Sequence, residues 1–333
     1  SMEYRILGRS NIKVSRLCYG SLTVSPSQAD LSAREGGELI AYALDRGVNF
    51  IDTAQLYQTY SHIREALRRV SELPVICSKT YAWNRQTALE AVDEARRELD
   101  LDKIDIFLLH EQESVMTMHG HAEALACLLE LKEQGIIGAV GLSTHAIEPV
   151  RALTEAVKHD RSGLWQEFDP GPWQEADIVH PLLNLRGIGL LDGGPEGMQT
   201  ATVQAADAGL GIFGMKMYGG GHLLSDFNQA AEFALSQEHV ASYAVGMQKY
   251  EEIDANIELF SKPGIDPAVC QTRSTDRRLI VSDWCTGCGA CIARCRSGAL
   301  CLNDQGTVTV DHDRCTLCSY CATVCRDFVL KII

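Results

Sequence analysis

The chain has 333 residues, a formal net charge of −14 at pH 7, and 46% hydrophobic residues. This length fits one α/β barrel followed by a small module. The negative charge argues against nucleic acid and anionic membrane surfaces as partners, because both require a basic face. No apolar run approaches the roughly 20 residues that span a bilayer, and no signal-peptide pattern opens the chain. We therefore expect a cytoplasmic protein with no membrane partner.

Eight short apolar segments, each followed by a segment with helical periodicity, fill the first 265 residues. They lie at 17–22, 49–54, 75–80, 103–110, 138–144, 176–184, 211–217 and 241–247. Near-continuous apolar runs are typical of parallel strands that are buried on both faces. The alternation predicts the α/β class and, with eight repeats, a (β/α)8 TIM barrel over residues 1–265. Residues 4–17 predict a hairpin that closes the bottom of the barrel.

An insertion between the fifth helix and the sixth strand, residues 158–176, contains two tryptophans and two prolines. Because it follows a helix, it should leave the barrel at the bottom face, away from the carboxyl ends of the strands. We therefore expect it to be structural. A linker containing proline and glycine follows the eighth helix, and residues 266–333 are predicted to hold this linker and a second, smaller domain.

The predicted strand ends carry several polar side chains, and in such a barrel the chemistry lies at the carboxyl ends of the strands. These side chains are Asp52, Lys79, His110, Ser143, Thr144 and His180, with Tyr57 in the loop after the second strand. A tyrosine has an ordinary pKa near 10, which a neighbouring ammonium lowers. The set predicts a tyrosine acid that protonates a developing alkoxide, a lysine and carboxylate that tune it, and a histidine that orients a carbonyl group.

Four sequence blocks resemble the aldo-keto reductase family across roughly residues 4–260. They are FIDTAQLY (50–57), ICSKT (76–80), IDIFLLH (104–110) and LKEQGIIGAVGLSTH (131–145). The resemblance implies that Tyr57 is the proton donor, that Asp52 and Lys79 tune it, and that His110 orients the carbonyl. It also implies an oxidoreductase that interconverts a small-molecule carbonyl and alcohol with NAD(P)H.

The same resemblance implies a nicotinamide site with altered residues. Ser143, Thr144 and His180 stand where the family holds the carboxamide, and Met215 stands where its stacking aromatic ring is expected. The pyrophosphate would run past Lys216 and the glycines Gly219, Gly220 and Gly221, and Asn256 would face adenine. Gln248 and Glu252 replace basic residues that grip a 2′-phosphate, and a carboxylate repels that phosphate. Two interpretations follow: the site binds NADH in preference to NADPH, or the chain no longer depends fully on a nicotinamide as its hydride donor.

The C-terminal region contains two runs of the form C-x2-C-x2-C-x3-C, starting at Cys285 and Cys315. This spacing is typical of bacterial ferredoxins with two 4Fe-4S clusters, and it favours clusters over the alternatives of zinc or disulfides. The resemblance implies an α+β ferredoxin-like domain in which each run gives its fourth cysteine to the other cluster. The first ligand set is then Cys285, Cys288, Cys291 and Cys325, and the second is Cys315, Cys318, Cys321 and Cys295. Cys301 is expected to be a small core residue, and Cys270 lies in the linker.

Three hypotheses combine the two halves. The first is a carbonyl reductase or alcohol dehydrogenase whose clusters relay electrons to or from a redox partner protein. The second is a nicotinamide-independent reductase that receives electrons singly through the clusters. The third is a binding or redox-sensing protein with structural clusters. We also expect Tyr19, Tyr81, Trp83 and Met118 to lie in loops over the substrate pocket or to pack in the core, and the C-terminal module to shape that pocket.

Overall fold

The structure, a computed structural model, describes residues 1–261 and 277–333. Eight parallel strands form a closed barrel in chain order, with the last strand paired to the first. The barrel strands are β3 (Leu17–Gly20), β4 (Phe50–Asp52), β5 (Val75–Thr80), β6 (Ile104–Leu109), β7 (Ile137–Thr144), β8 (Ile178–Pro181), β9 (Gly211–Met215) and β10 (Ser242–Gly246). Each lies within, or one residue beyond, a segment predicted from the sequence, so the (β/α)8 barrel is confirmed.

Helices follow every barrel strand and cover the outside of the barrel. They are α1 (Ala33–Asp45), α2 (Tyr60–Leu67), α3 (Arg85–Leu99), α4 (Val115–Gly120), α5 (Ala122–Glu133), α6 (Ile147–Val157), α7 (Pro195–Asp207), α8 (Phe227–Ser236) and α9 (Tyr250–Ser261). The sequence sets several of their starts: Ser32 and Glu35 form a capping box at the start of α1, which satisfies backbone N–H groups that have no partner inside the helix.

The bottom of the barrel is closed by the predicted hairpin of β1 (Tyr4–Ile6) and β2 (Lys13–Ser15). Leu7 and Val14 of this hairpin join the apolar cluster inside the barrel, which includes Phe50 and Phe213. With the bottom filled by these side chains, the opposite end, where the strands reach their carboxyl termini, remains for a site.

The insertion packs against the outside of the barrel between α5 and α6. Trp165 and Trp173 are both fully buried there. The Trp165 indole N–H donates to Ala152 O at 2.7 Å, and that of Trp173 donates to Met118 O at 2.7 Å. The insertion is therefore part of the packed shell around the barrel.

Residues 277–333 contain two antiparallel strand pairs and two short helical segments. The strand β11 (Leu279–Val281) pairs with β14 (Leu330–Ile332), and β12 (Leu300–Leu302) pairs with β13 (Val308–Val310), which is the hairpin between the two cysteine runs. The helical segments, α10 (Ala290–Arg294) and a 3-10 turn (Tyr320–Val324), each carry one cysteine, the third of its run. This part of the chain, called the C-terminal module below, has the α+β content expected from the sequence.

The C-terminal module packs on the carboxyl-end face of the barrel. His222 Nε2 lies 2.9 Å from Leu330 O, and the Phe328 ring packs on Gly189 and Gly220. No helix in the two described ranges is long and apolar enough to cross a membrane. The predicted linker position Cys270 and the boundary between the two domains lie outside the described residues.

Candidate active site

Asp52 and Lys79 form a buried ion pair at the carboxyl ends of β4 and β5. Lys79 Nζ donates to both carboxylate oxygens of Asp52, at 2.8 and 2.9 Å, and to Thr53 O at 2.9 Å. Burial raises the pKa of Asp52, but the Lys79 ammonium and then His180 outweigh it, so its pKa lies below the ordinary value. Burial lowers the pKa of Lys79, and Asp52 more than reverses this, so Lys79 stays protonated.

Tyr57 and His110 complete the predicted set of four. Tyr57 ends a short 3-10 turn after β4, and Gln58 then reverses the chain in a left-handed conformation. Lys79 Nζ lies 5.0 Å from the centre of the Tyr57 ring, and the rings of Tyr57 and His110 meet edge-on with centres 5.8 Å apart. The structure therefore brings together all four residues that the sequence selected.

The pKa of the Tyr57 hydroxyl corrects one expectation. Burial raises this pKa, the Lys79 ammonium lowers it, and the net pKa is about 12, above the ordinary value. Burial also lowers the pKa of His110 to about 3, so its imidazole is neutral at physiological pH. His110 Nδ1 is buried with no hydrogen-bond partner among residues 1–261 and 277–333.

A cleft of about 260 Å³ opens next to Asp52 and Tyr57. It is lined by most of the residues predicted to contact a nicotinamide cofactor, namely His180, Met215, Lys216, Gly220, Gly221, Gln248 and Asn256. Glu252 also lines the cleft, and its carboxylate accepts a hydrogen bond from Gln248 N at 3.0 Å. Burial raises the pKa of Glu252.

Three predicted cofactor contacts do not line this cleft. Ser143 Oγ accepts from Glu111 N at 2.9 Å, and the Thr144 hydroxyl donates to Gln112 O at 2.6 Å. Both hydroxyls thus fix the loop that follows His110. Gly219 lies behind the cleft wall, beside Ile188 and Leu223.

The glycine run is approached closely by the C-terminal module. A Cβ added at Gly221 would lie 1.8 Å from Ile332 O, and one added at Gly220 would lie 2.9 Å from the Phe328 ring. Both glycines have positive φ, which other residues rarely adopt. The resemblance implied that these glycines contact a pyrophosphate. In the structure, Phe328 and β14 pack against them instead.

A second cavity, of about 270 Å³, lies between the barrel and the module. Its lining comes from both parts of the chain: Leu56, Tyr81, Glu111, Gln112, Glu113, His145, Leu191, Trp284, Thr286, Arg326 and Asp327. Tyr81 stacks on His110 with ring centres 4.4 Å apart and donates to Glu111 Oε2 at 2.5 Å. The cavity therefore adjoins the predicted carbonyl-orienting histidine.

The four aromatic or apolar residues expected near the pocket lie in three different kinds of position. Tyr81 lines the second cavity. Tyr19 is fully buried and donates its hydroxyl to Met247 O, and Met118 is fully buried in α4, so both pack in the core. Trp83 is 60% exposed and lines neither cavity.

Sequence reasoning missed two charged residues of the site. Lys331 in β14 is only 4% exposed and lines the first cleft together with Lys216. Glu111 follows His110 in a left-handed conformation; burial raises its pKa, but His145, His110 and Tyr81 outweigh this and set it at about 2. Glu111 could have been predicted, because it directly follows the predicted site residue His110 at a strand end. Nothing in the sequence places Lys331 at the barrel.

The eight cysteines of the two runs are gathered in the C-terminal module. Cys295, Cys315, Cys318 and Cys321 line one small cavity, and they are the four residues assigned to the second ligand set. In the first set, Cys285, Cys288 and Cys325 are close enough to Cys291 to raise its pKa, after the larger effect of burial. Cys301 is exposed on β12, so its expected core position is wrong.

No group of three or more His, Cys, Asp or Glu residues in the described ranges has the geometry to hold a single metal ion. A cubane cluster separates its four cysteine sulfurs more than one ion does, because iron and sulfide atoms lie between them. The four cysteines around the small cavity offer an all-thiolate donor set, which is the set that such clusters use.

Comparison with known proteins agrees with the barrel geometry. Residues 16–201 match the Aldo/keto reductase family, which is more than half of the chain, and the chain therefore belongs to this family. It is 25% identical over 181 residues to the methylglyoxal reductase DkgA of Escherichia coli K12, covering 54% of this chain and 61% of that protein. It is also 25% identical over 144 residues to a rice protein (Oryza sativa subsp. japonica) named probable voltage-gated potassium channel subunit beta, covering 39% of this chain and 43% of that protein.

The chain spans about half the length of the curated relatives it matches. Among solved structures, the holo form of aldo-keto reductase AKR11C1 from Bacillus halodurans superposes with a TM-score of 0.60 at 18% identity, covering 82% of this chain and 95% of that chain. At this identity the likeness establishes the barrel fold alone.

Proposed function

We propose that the chain is an oxidoreductase of the aldo-keto reductase type that interconverts a carbonyl compound and its alcohol, with Tyr57 as the general acid. The observation that carries this proposal is the buried contact of Lys79 with both oxygens of Asp52, beside the Tyr57 ring and at the mouth of a cleft. A binding module has no need of a buried ammonium beside a tyrosine. Burying this ion pair costs several kcal/mol of desolvation free energy per ion, which the attraction between the two ions must offset.

Each residue of the set has a distinct role in the proposed reaction. Tyr57, whose pKa is about 12, is protonated at neutral pH and gives its proton to the carbonyl oxygen as the alcohol forms. Lys79 stabilises the resulting phenolate, and Asp52 fixes Lys79 in position. His110, neutral because its pKa is about 3, donates an N–H to the carbonyl oxygen and orients it.

The residues lining the first cleft fit a nicotinamide dinucleotide that is held by contacts different from those the resemblance implies. When bound, NAD(P)H would supply the hydride that adds to the carbonyl carbon. His180, Met215, Gln248 and Asn256 would line its site, while the phosphate path would differ because β14 packs on Gly221. The half-buried carboxylate of Glu252 favours NADH, since it would repel the additional phosphate of NADPH.

We further propose that the two cysteine runs bind two 4Fe-4S clusters. Their spacing, the shared cavity of Cys295, Cys315, Cys318 and Cys321, and the electrostatic proximity of Cys285, Cys288 and Cys325 to Cys291 support this. Such clusters transfer single electrons, and their thiolate ligands would come from both halves of the C-terminal module. The first set is nearer the second cavity, because Trp284 and Arg326 line that cavity and adjoin Cys285 and Cys325 in sequence.

A second candidate function uses the clusters instead of a hydride donor. The carbonyl would then take up two electrons, one at a time, and two protons, of which Tyr57 supplies one and water the other. The electrons would come from a low-potential one-electron donor, such as a redox partner protein. The packing of β14 against the glycine run favours this candidate, because it occupies part of the dinucleotide path.

The barrel proposal is tested by turnover of a panel of aldehydes and ketones with NADH and with reduced methyl viologen. We expect Tyr57→Phe to lower kcat at least 100-fold, within the range of general acid catalysis. Tyr4→Phe is the matched control, because the Tyr4 hydroxyl bonds Gly47 O at the barrel bottom, far from the strand carboxyl ends. Turnover that survives Tyr57→Phe would refute the catalytic role, and binding of carbonyl compounds without any turnover would favour a binding protein.

The cluster proposal is tested by iron and sulfide analysis of anaerobically purified protein, with electron paramagnetic resonance after reduction. We expect about eight iron atoms per chain, and fewer in Cys288→Ser. Cys301→Ser is the matched control, since Cys301 is also exposed but belongs to neither run. Stoichiometric zinc without iron would refute the clusters.

A further inference from the structure

We propose that Lys216 and Lys331 form an anion-binding pair, and that the substrate is therefore a carbonyl compound that carries an oxyanion group. This proposal rests on the proposed carbonyl chemistry and names its substrate class. It also assigns a substrate contact to the C-terminal module, because Lys331 lies in β14.

The two lysines come from different parts of the chain and meet at one place. Lys216 follows β9 in a left-handed conformation, and both side chains line the cleft that contains Asp52 and Tyr57. Their ammonium nitrogens lie 5.3 and 6.0 Å from the centre of the same ring, that of Phe328. Two like charges so close together repel each other unless an anion lies between them or one is deprotonated.

The surroundings leave this pair short of negative charge. In the described part of the chain, no carboxylate forms an ion pair with Lys216 or Lys331; the Lys331 ammonium has Ser282 Oγ at 3.4 Å and the Trp284 ring centre at 4.5 Å. Asp52 is already occupied by Lys79. Glu111 is the remaining carboxylate with an electrostatic effect on both lysines, and it also accepts the Tyr81 hydroxyl. The thiol of Cys325, a proposed cluster ligand, acts on Lys331 but is not among the main groups that act on Lys216.

The pair also lies near residues that surround His110. Trp284, over which Lys331 sits, lines the second cavity together with Tyr81, Glu111 and His145, and Tyr81 stacks on His110. Both lysines also act electrostatically on His145. An anion held here would share the first cleft with Tyr57, which would place an attached carbonyl group near the proposed general acid.

The pKa values agree with this geometry. Burial lowers the pKa of Lys216 to about 8, and burial followed by Lys216 lowers that of Lys331. A bound oxyanion would favour the charged form of each lysine. A bound oxyanion would therefore offset part of the cost of burying the two ammonium groups.

Binding is measured by calorimetry on the full chain with its metal content, using butanoate, its neutral isostere butanamide, and inorganic phosphate. We expect Lys216→Gln and Lys331→Gln each to weaken anion binding at least tenfold, and Lys331→Arg to retain it. Lys158→Gln is the matched control, since Lys158 is exposed at the end of α6. A larger loss for butanoate than for phosphate assigns the site to a carboxylate, and the reverse assigns it to a phosphate ester; either result supports the anion site.

Turnover separates this inference from the proposed function. The ratio of kcat/KM for succinic semialdehyde to that for butanal should fall at least tenfold in Lys331→Gln, with circular dichroism reporting whether the fold is retained. If neither aldehyde reacts in the wild type but anion binding still requires both lysines, the proposed function fails and the site stands. If the ratio is unchanged and Lys331→Gln instead weakens NADH binding, the inference is overturned, because the pair then serves the dinucleotide phosphates.

Discussion

Replacing Asp52 with asparagine should destabilise the barrel strongly. The change removes one charge of an ion pair whose Lys79 and Asp52 side chains are 1% and 6% exposed. It leaves a buried ammonium with neutral acceptors only, namely the amide oxygen of the new side chain and Thr53 O. Removing one member of a buried pair typically costs about 3–5 kcal/mol, because the other charge is left without compensation. We expect a loss of this size in the free energy of unfolding.

The measurement is urea unfolding of the full chain followed by circular dichroism, with Asp52→Asn, Lys79→Met and the double variant compared in one cycle. The double variant should be more stable than Asp52→Asn alone, since replacing both charges removes the uncompensated ion. The reasoning is refuted if Asp52→Asn costs less than about 1 kcal/mol, or if the two single effects simply add.

Three further predictions concern the glycine run, cofactor choice and pH. Gly221→Ala should expose residues 277–333 to limited proteolysis, because its Cβ would lie 1.8 Å from Ile332 O, whereas Gly120→Ala meets nothing within 4 Å and should not. Glu252→Gln should raise NADPH affinity relative to NADH by about tenfold in fluorescence titrations, and an unchanged ratio would contradict its proposed role. Burial lowers the pKa of His145 to about 4, so the folded state binds fewer protons than the unfolded state as the pH falls. The folded state should therefore lose about 2 kcal/mol of stability from pH 7 to pH 5. His145→Gln should remove this contribution to the loss, as measured by the midpoints of urea unfolding at the two pH values.

Local patterns were enough to predict the barrel and its four-residue set. Each strand is a short apolar run, and its length and position depend mainly on its own residues and on burial on both faces. Asp52, Lys79 and His110 are found by the rule that chemistry lies at strand carboxyl ends, and that rule needs no knowledge of tertiary contacts.

The remaining features depend on contacts between distant parts of the chain. Lys331 reaches the cleft only because β14 packs on the glycine run, more than 100 residues earlier in the sequence. Met118 was expected either over the pocket or in the core, and it packs in the core because the segment there folds into α4, where Met118 O accepts from the Trp173 indole. The Tyr57 pKa was expected to fall because Lys79 was considered without the burial that outweighs it.

Because Phe328 and β14 pack on the barrel, the barrel should not retain its full packing once the C-terminal module is removed. Phe328 covers Gly189 and Gly220, while Ile332 O covers Gly221 and Leu330 O pairs with His222. A truncated barrel ending at residue 261 would lose these covers and expose apolar surface beside its cleft. Any loss of order around the cysteines would be transmitted along β14 to the same place. Damage to the module would therefore be expected to lower the stability of the barrel as well.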